Sequence, residues 1–318
     1  MRVLFSIIPG HGHFFPMIPM ARALEAADHE VVFASSASYG ETIRSHGFEA
    51  IAVGPDFTQT TAKGEGTGSD VDGPLIQLMF IDGPPIVARD LLTHFGTDRP
   101  DVILADVTDL GCTVAASVAK VPLGCVLHGP IEGTYPLGFF PLDPDEREQA
   151  FEEGMHGRWK RLHAEHGVEP PALWPGERLW MRTLTLVQAP PSLNPYSYRS
   201  SSHAAHPLRP EIHTSDADST WRDDLPEGPI VGVSLGTLFG TKELNEVAAR
   251  GIIAAGGTPV LATPFDVDVE GALTVNWVSM DHLMEASDAF VHHGGWGVTT
   301  AGIVSGTPMV VLPQGADQ

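Results

Sequence analysis

The sequence predicts an α/β fold of two Rossmann-like domains in tandem, and three observations predict it. Short continuous apolar runs alternate with helix-like segments, the mark of a parallel sheet covered on both faces. The alternation stops in a stretch rich in Pro, Ser, His and Asp and then restarts, which marks a linker. The chain has 318 residues, 42% of them hydrophobic, enough for two separate cores. The boundaries are 1–205 for the first domain, 206–227 for the linker and 228–318 for the second.

The opening "RVLFSII" has the pattern of a buried strand. Residues 14–27 follow with a helical pattern, with Pro16 tolerated in the first turn. "EVVFA" and "FEAIAV" are the next two strands, with a short helix at 40–45 between them. The stretch 58–73 is polar and Gly/Thr-rich, the composition of a loop. "DVILA" is a strand, 111–120 a helix and "PLGCVL" a strand. Residues 128–145 are rich in Gly, Pro and aromatics, and a helix is predicted over 144–166. Beyond the linker come the strand "PIVGVSL", a helix over 242–255, the strands "TPVLA" and "LTVNW", and a short helix over 281–286. "AFVHH" is a strand, 296–305 a helix and "PMVVLP" the last strand.

Charge and composition exclude several classes. With 18 basic and 40 acidic side chains, the formal charge of −22 repels nucleic acid and anionic lipid. The apolar start is cut short by Pro9-Gly10, and no later run reaches membrane length without Gly, Pro or charge. A cytoplasmic protein with no membrane span is expected. Cys112 and Cys125, the only cysteines, sit in apolar runs and are expected to be buried thiols.

The most informative stretch is "VHHGGWGVTTAG", residues 291–302. It lies where a strand ends and a helix begins, the place where ligands bind an open α/β sheet. The unpaired N–H groups and partial positive charge of a helix start suit a phosphate, and glycines let it approach. No Lys or Arg follows Arg250, so backbone and imidazole would be the donors. The bland alternative is a strand-to-helix turn with Gly for geometry.

Competing motifs fail. A P-loop is absent, and the GxGxxG pattern at Gly10 and Gly12 has Phe15 in its third glycine position. No acidic residue ends the second strand. Asp-x-Asp triplets occur at Asp70/Asp72, Asp143/Asp145, Asp216/Asp218 and Asp266/Asp268, a frequency that composition explains. His11 and His13 have zinc-like spacing but no third ligand near them in sequence.

In order along the chain, "GHGHFFPMIP", "VSLGT", "NWV", "HHGGWGVTTAG" and "LPQGADQ" resemble the GT-B glycosyltransferases of the nucleotide-sugar-dependent family 1. The nearest resemblance is to actinobacterial enzymes acting on antibiotics and other natural products. It implies two Rossmann-like domains facing across a cleft, with the acceptor on the first and the nucleotide-sugar on the second. It further implies an inverting transfer to a hydroxyl of a lipophilic natural product from a UDP- or dTDP-sugar, with no metal and no other cofactor.

Carried over by position, His13 matches the base that takes the acceptor's proton. Asp106 matches the carboxylate that orients it, with Asp109 as the alternative. His293 matches the diphosphate ligand, joined by Thr237 and the backbone of Gly295, Gly297 and Val298. Gly12 and Gly236 are further implied donor contacts. Trp277 and Val278 lie where the family holds the base, though Trp277 equally suits a core. Asp317 and Gln318 match the pair that grips the donor sugar. Phe80, Tyr135, Phe139 and Phe140 are acceptor-pocket candidates, or else core or lid packing.

The sequence departs from the family in three places. Val298 replaces a usual hydroxyl residue, and Trp296 a small one. The chain also ends at Gln318, ahead of the family's further helices. A shortened form is therefore expected, with apolar surface beside "PMVVLP" uncovered and self-association as the result. Two other readings stay open: a catalytically silent nucleotide-sugar-binding or partner protein, and a nucleotide-sugar epimerase of the same architecture.

Overall fold

The computed structural model describes residues 1–56, 78–129, 157–169, 184–193, 205–208, 220–225, 228–236, 240–276 and 278–314. The chain divides into two compact units, Met1–Pro210 and Glu211–Gln318.

Among the described residues the first unit carries seven strands: β1 (Arg2–Ser6), β2 (Glu30–Ser35), β3 (Glu49–Ala52), β4 (Val102–Asp106), β5 (Leu123–Leu127), β6 (Leu184–Val187) and β7 (Ala205–Pro207). They form one parallel sheet in the order β3-β2-β1-β4-β5-β6-β7. Successive side chains of a strand point to opposite faces. Val3 and Phe5 accordingly pack on one face with Phe14, Met17, Phe33 and Phe48. Leu4 packs on the other with Val32, Leu91, Ile103 and Ala115. Both faces are buried, which is why these strands are continuous apolar runs.

The helices of this unit are α1 (His11–Phe14), α2 (Ile18–Ala26), α3 (Gly40–Ser45), α4 (Gly83–Phe95), α5 (Leu110–Ala119) and α6 (Gly157–Glu165). The continuous helix expected over 14–27 is broken. A one-turn α1 leads through a 3-10 turn, Phe15–Met17, into α2. Pro16 and Pro19 have no N–H to donate, so each is accommodated only at the start of a new helical segment. Of the helix expected over 144–166, Gly157–Glu165 is helical and the remainder lies outside the described residues. The predicted loop at 58–73 also lies outside them. Strand β7 occupies part of the stretch whose composition suggests a linker.

The second unit has β8 (Ile230–Ser234), β9 (Thr258–Ala262), β10 (Leu273–Val275), β11 (Ala289–His292) and β12 (Met309–Val311). They form a parallel sheet ordered β10-β9-β8-β11-β12. Helices α7 (Lys242–Ala254), α8 (Met280–Glu285) and α9 (Trp296–Ser305) accompany it. Phe290, Val260, Leu283, Met284 and Val298 centre one core, and Val233, Leu235, Ala249 and Leu261 the other. The edge strand β12 leaves Val310, Val311 and Leu312 exposed at 54%, 47% and 36%, and Ile303 and Val304 of α9 are exposed too.

In both sheets the strand order reverses at one point: between β1 and β4 in the first, between β8 and β11 in the second. Such a switch opens a crevice at the carboxyl ends of its two strands. No helix among the described residues is long and apolar enough to cross a membrane.

Candidate active site

Two constellations stand at these two switch points. In the first unit the chain leaves β1 and turns at once into α1, which carries His13. Asp106 is the last residue of β4. The His13 Nδ1 and the Asp106 Oδ2 form a short hydrogen bond. The Asp106 carboxyl group is fully buried, while the His13 side chain keeps 31% of its surface exposed. The other carboxylate oxygen accepts from the Thr108 backbone N–H at 2.8 Å and from the Thr108 hydroxyl at 2.7 Å. Burial alone would raise the Asp106 pKa. The imidazoles of His13 and His128 outweigh it and hold the carboxyl well below its usual range. Asp106 is therefore an anion that fixes His13 by Nδ1.

Asp109 has a different post. One oxygen caps α5 by accepting from the Cys112 N–H at 3.0 Å, and the other accepts from the Ser6 hydroxyl at 2.6 Å. Burial pushes its pKa up to about 6, against the hydrogen bonds from Ser6 and the helix start. The structure thus sets Asp106, and not Asp109, against His13.

His11 and His13 diverge. His11 Nδ1 accepts from the Tyr39 hydroxyl at 2.9 Å, and its ring stacks on Phe15. A third group beside His13 instead comes from far along the chain: His128, just after β5, brings Nε2 to 3.5 Å from the Asp106 Oδ2. Donor atoms of His13, Asp106 and His128 lie within 4.8 Å of one another, the one such cluster of three among the described residues. The hydrogen bond already joining His13 to Asp106 makes this a proton-sharing trio. Sequence reading missed His128. The signal was available, because His128 follows the strand "PLGCVL" directly, as Asp106 closes "DVILA".

Phe80 is buried with Leu110, Val114 and Trp159 in a local core. Gly12 borders open space. Tyr135, Phe139 and Phe140 lie outside the described residues, as do Thr237, Trp277, Asp317 and Gln318.

The second constellation explains the doubled histidine. His292 ends β11 fully buried, and its Nδ1 accepts the Gly294 N–H at 3.1 Å. Burial, and then the neighbouring His293, lower its pKa, so it is a neutral residue that shapes the turn. His293 comes next, with Nδ1 donating to the Ser234 carbonyl of β8 at 3.2 Å. Its ring lies between two glycines. A Cβ on Gly236 would come within 3.0 Å of Nε2, and one on Gly295 within 2.4 Å. Any other residue at 295 would displace the imidazole.

Gly295 is the N-cap of α9, and no side chain caps it. The start of α9 thus has no side-chain cap, and the macrodipole places partial positive charge there. The Thr299 and Thr300 hydroxyls bond back to carbonyls of their own helix, on Gly295 and on Trp296 and Gly297. The Val298 side chain is buried in the core, which leaves only its backbone for a ligand. Val278 is buried in the same core.

Comparison with known proteins agrees with this fold. The family described as Erythromycin biosynthesis protein CIII-like, C-terminal domain, matches residues 264–318. The 3-alpha-mycarosylerythronolide B desosaminyl transferase of Saccharopolyspora erythraea is 25% identical over 360 residues, covering all of this chain and 82% of the relative. Among solved structures, the glycotransferase of kitacinnamycin superposes with a TM-score of 0.71 at 24% identity, over all of this chain and 81% of that one. The spinosyn rhamnosyltransferase SpnG complexed with thymidine diphosphate gives 0.69 at 22% identity, covering 100% and 82%. Fold, order of motifs and relatives thus agree: over its whole length the chain is similar to glycosyltransferases of the antibiotic and natural-product type, with the fold of the solved members.

Proposed function

We propose that the chain is an inverting, metal-independent enzyme that moves a sugar from a UDP- or dTDP-sugar to a hydroxyl of a lipophilic natural product. The observation that carries this reading is the His13–Asp106 pair at the first switch point. In the reaction His13 Nε2 takes the acceptor hydroxyl proton. The oxygen forms its bond to the anomeric carbon on one face as the nucleoside diphosphate leaves from the other. Asp106 stabilises the imidazolium that results. The second switch point supports a diphosphate leaving group, which the uncapped start of α9 and the His293 imidazole suit without a metal. Asp317 and Gln318 are assigned to the donor sugar, and Tyr135, Phe139 and Phe140 to the acceptor. Thymidine diphosphate in the SpnG complex supports the dTDP alternative. The buried thiols Cys112 and Cys125 suit a reducing cytoplasm.

One observation favours a silent nucleotide-sugar-binding protein: the Val298 side chain is committed to the core. A panel of UDP- and dTDP-sugars incubated with lipophilic aglycones, with and without EDTA, decides between the two. Mass spectrometry should find a glycoside whose yield EDTA leaves unchanged, with the anomeric configuration opposite to the donor's. Donor binding with no product from any pair would favour the silent protein. Loss of product in EDTA would overturn metal independence.

A further inference from the structure

His128 stands beside Asp106 without a place in the mechanism above. Its ring is oriented by a chain of hydrogen bonds. The Gln188 carboxamide donates through Nε2 to the Pro16 carbonyl, so its Oε1 is left to accept. That oxygen lies 2.9 Å from His128 Nδ1, which must therefore carry a hydrogen. Nε2 is then the nitrogen turned to Asp106, at 3.5 Å. It is buried, with no hydrogen-bond partner within ordinary distance among the described residues. With Nδ1 protonated, a neutral ring would set its Nε2 lone pair against a carboxylate oxygen. A ring protonated at both nitrogens would present an N–H to that oxygen instead.

We propose that His128 is a positioning residue that shares Asp106 with His13 and lowers the pH at which His13 gives up its proton. Both imidazoles address the same oxygen, Oδ2, and their rings meet edge to face with centroids 5.6 Å apart. Charge on His128 acts on His13 in two ways. It repels a proton on His13 directly, and it draws on the carboxylate that would otherwise stabilise the His13 imidazolium alone. Both effects keep His13 unprotonated to lower pH, the form a general base needs. Among the described residues, the titratable groups facing His128 are Asp106 from β4 and His13 from α1, while Gln188, beyond β6, is neutral. Asp109 lies behind Asp106 and interacts with it electrostatically. This inference deepens the glycosyltransferase reading and rests on it only for the consequence in catalysis.

The test is an imidazole titration by NMR on ¹⁵N-histidine-labelled protein, with the His13 signal among the 15 histidines assigned by its loss in His13→Gln. In His128→Gln the His13 midpoint should rise by about one pH unit. Gln188→Leu, which removes only the anchor, should raise it by less, and it keeps the question open to test if His128→Gln does not fold. His11→Gln should leave it in place, and the rise should persist in an Asp109→Asn background. A His13 midpoint unchanged in both His128→Gln and Gln188→Leu overturns the proposal, as does a rise that vanishes with Asp109→Asn. Stoichiometric zinc binding that His128→Gln abolishes would make the trio a metal centre and overturn it too. Where transfer is measurable, the acid limb of kcat/KM should move with the midpoint, and a limb that stays put counts against the coupling. Transfer absent in the wild-type chain, with the coupled titration intact, would overturn the enzymatic reading alone and leave the sharing of Asp106 supported.

Discussion

The two sheets reverse their strand order in the same way, yet the two crevices are built from opposite materials. At the end of β1 and β4 the chain buries charged side chains and arranges them around one carboxylate. At the end of β8 and β11 it offers backbone N–H groups, glycines and one imidazole, with no charged side chain from the last 68 residues except acids. The difference fits the tasks proposed for the two crevices. A proton must be taken and returned at a set pH, which needs titratable groups tuned by burial and by each other. A diphosphate only has to be held, and fixed dipoles hold it without titrating. Topology supplies the place in both units, and local side chains decide the chemistry.

The sharpest way to separate the two crevices is to remove one histidine from each. His13→Ala should lower turnover by about 10²–10⁴-fold and leave calorimetric affinity for UDP and dTDP unchanged. Full activity in that variant would remove His13 from the reaction. His293→Ala should weaken nucleoside diphosphate binding by roughly 1.5–3 kcal/mol and slow transfer as well. Gly295→Ala refines this, because the atoms nearest the added methyl are those of the His293 ring. The backbone at 295 has a negative φ that alanine adopts freely. Affinity should fall by about tenfold, within the cost of one displaced hydrogen bond, with thermal stability kept. Equal affinity in Gly295→Ala and wild type would place the phosphates away from His293.

Asp109→Asn tests the first crevice for a neutral effect on transfer and a visible one on stability. The folded protein raises this pKa from 3.8 to about 6. Between those values the folded state holds a proton that the unfolded state has released. Stability therefore falls as pH rises through that window and stays lower above it. The loss amounts to about 3 kcal/mol as an order of magnitude. Asparagine keeps the cap on α5 without the charge, so Asp109→Asn should gain stability over wild type above pH 6 and none below 3.8. Denaturant midpoints across that range check it, and parallel profiles for the two proteins would refute it. The smallest effect belongs to the edge of the second sheet. Val310→Lys removes an exposed apolar side chain from the edge strand β12 and should leave nucleotide affinity within measurement error in calorimetry.

Much of the fold was legible because its signals were local. The continuous apolar runs became parallel strands, and the breaks at Gly and Pro became turns. The two candidates Asp106 and His293 stand at strand ends, Asp106 closing β4 and His293 just past β11, so their place in the fold was legible, while the roles given to them came from the family resemblance. Helix α4 was not legible, because Pro84 and Pro85 look like breakers although the first turn of a helix accepts them. His128 and Gln188 were missed for a different reason. Each is a lone polar residue after a strand, and its meaning comes from partners 22 and 172 residues away. Phe80 shows the limit from the other side, since an aromatic residue's composition is the same whether it lines a pocket or, as here, packs against Trp159.

The bond between Gln188 and the Pro16 carbonyl spans 172 residues and sets the order in which the chain can become functional on the ribosome. At the usual pace of synthesis, residue 188 emerges about 10–35 s after the segment that holds His13. During that interval β1, β2 and β4 can pair, and His13 can already meet Asp106. His128 has no anchor until β6 has been made. A nascent chain arrested ahead of β6 would hold a His13–Asp106 pair beside an unanchored His128, so on the proposal above the tuning of the first unit's site waits for its sixth strand.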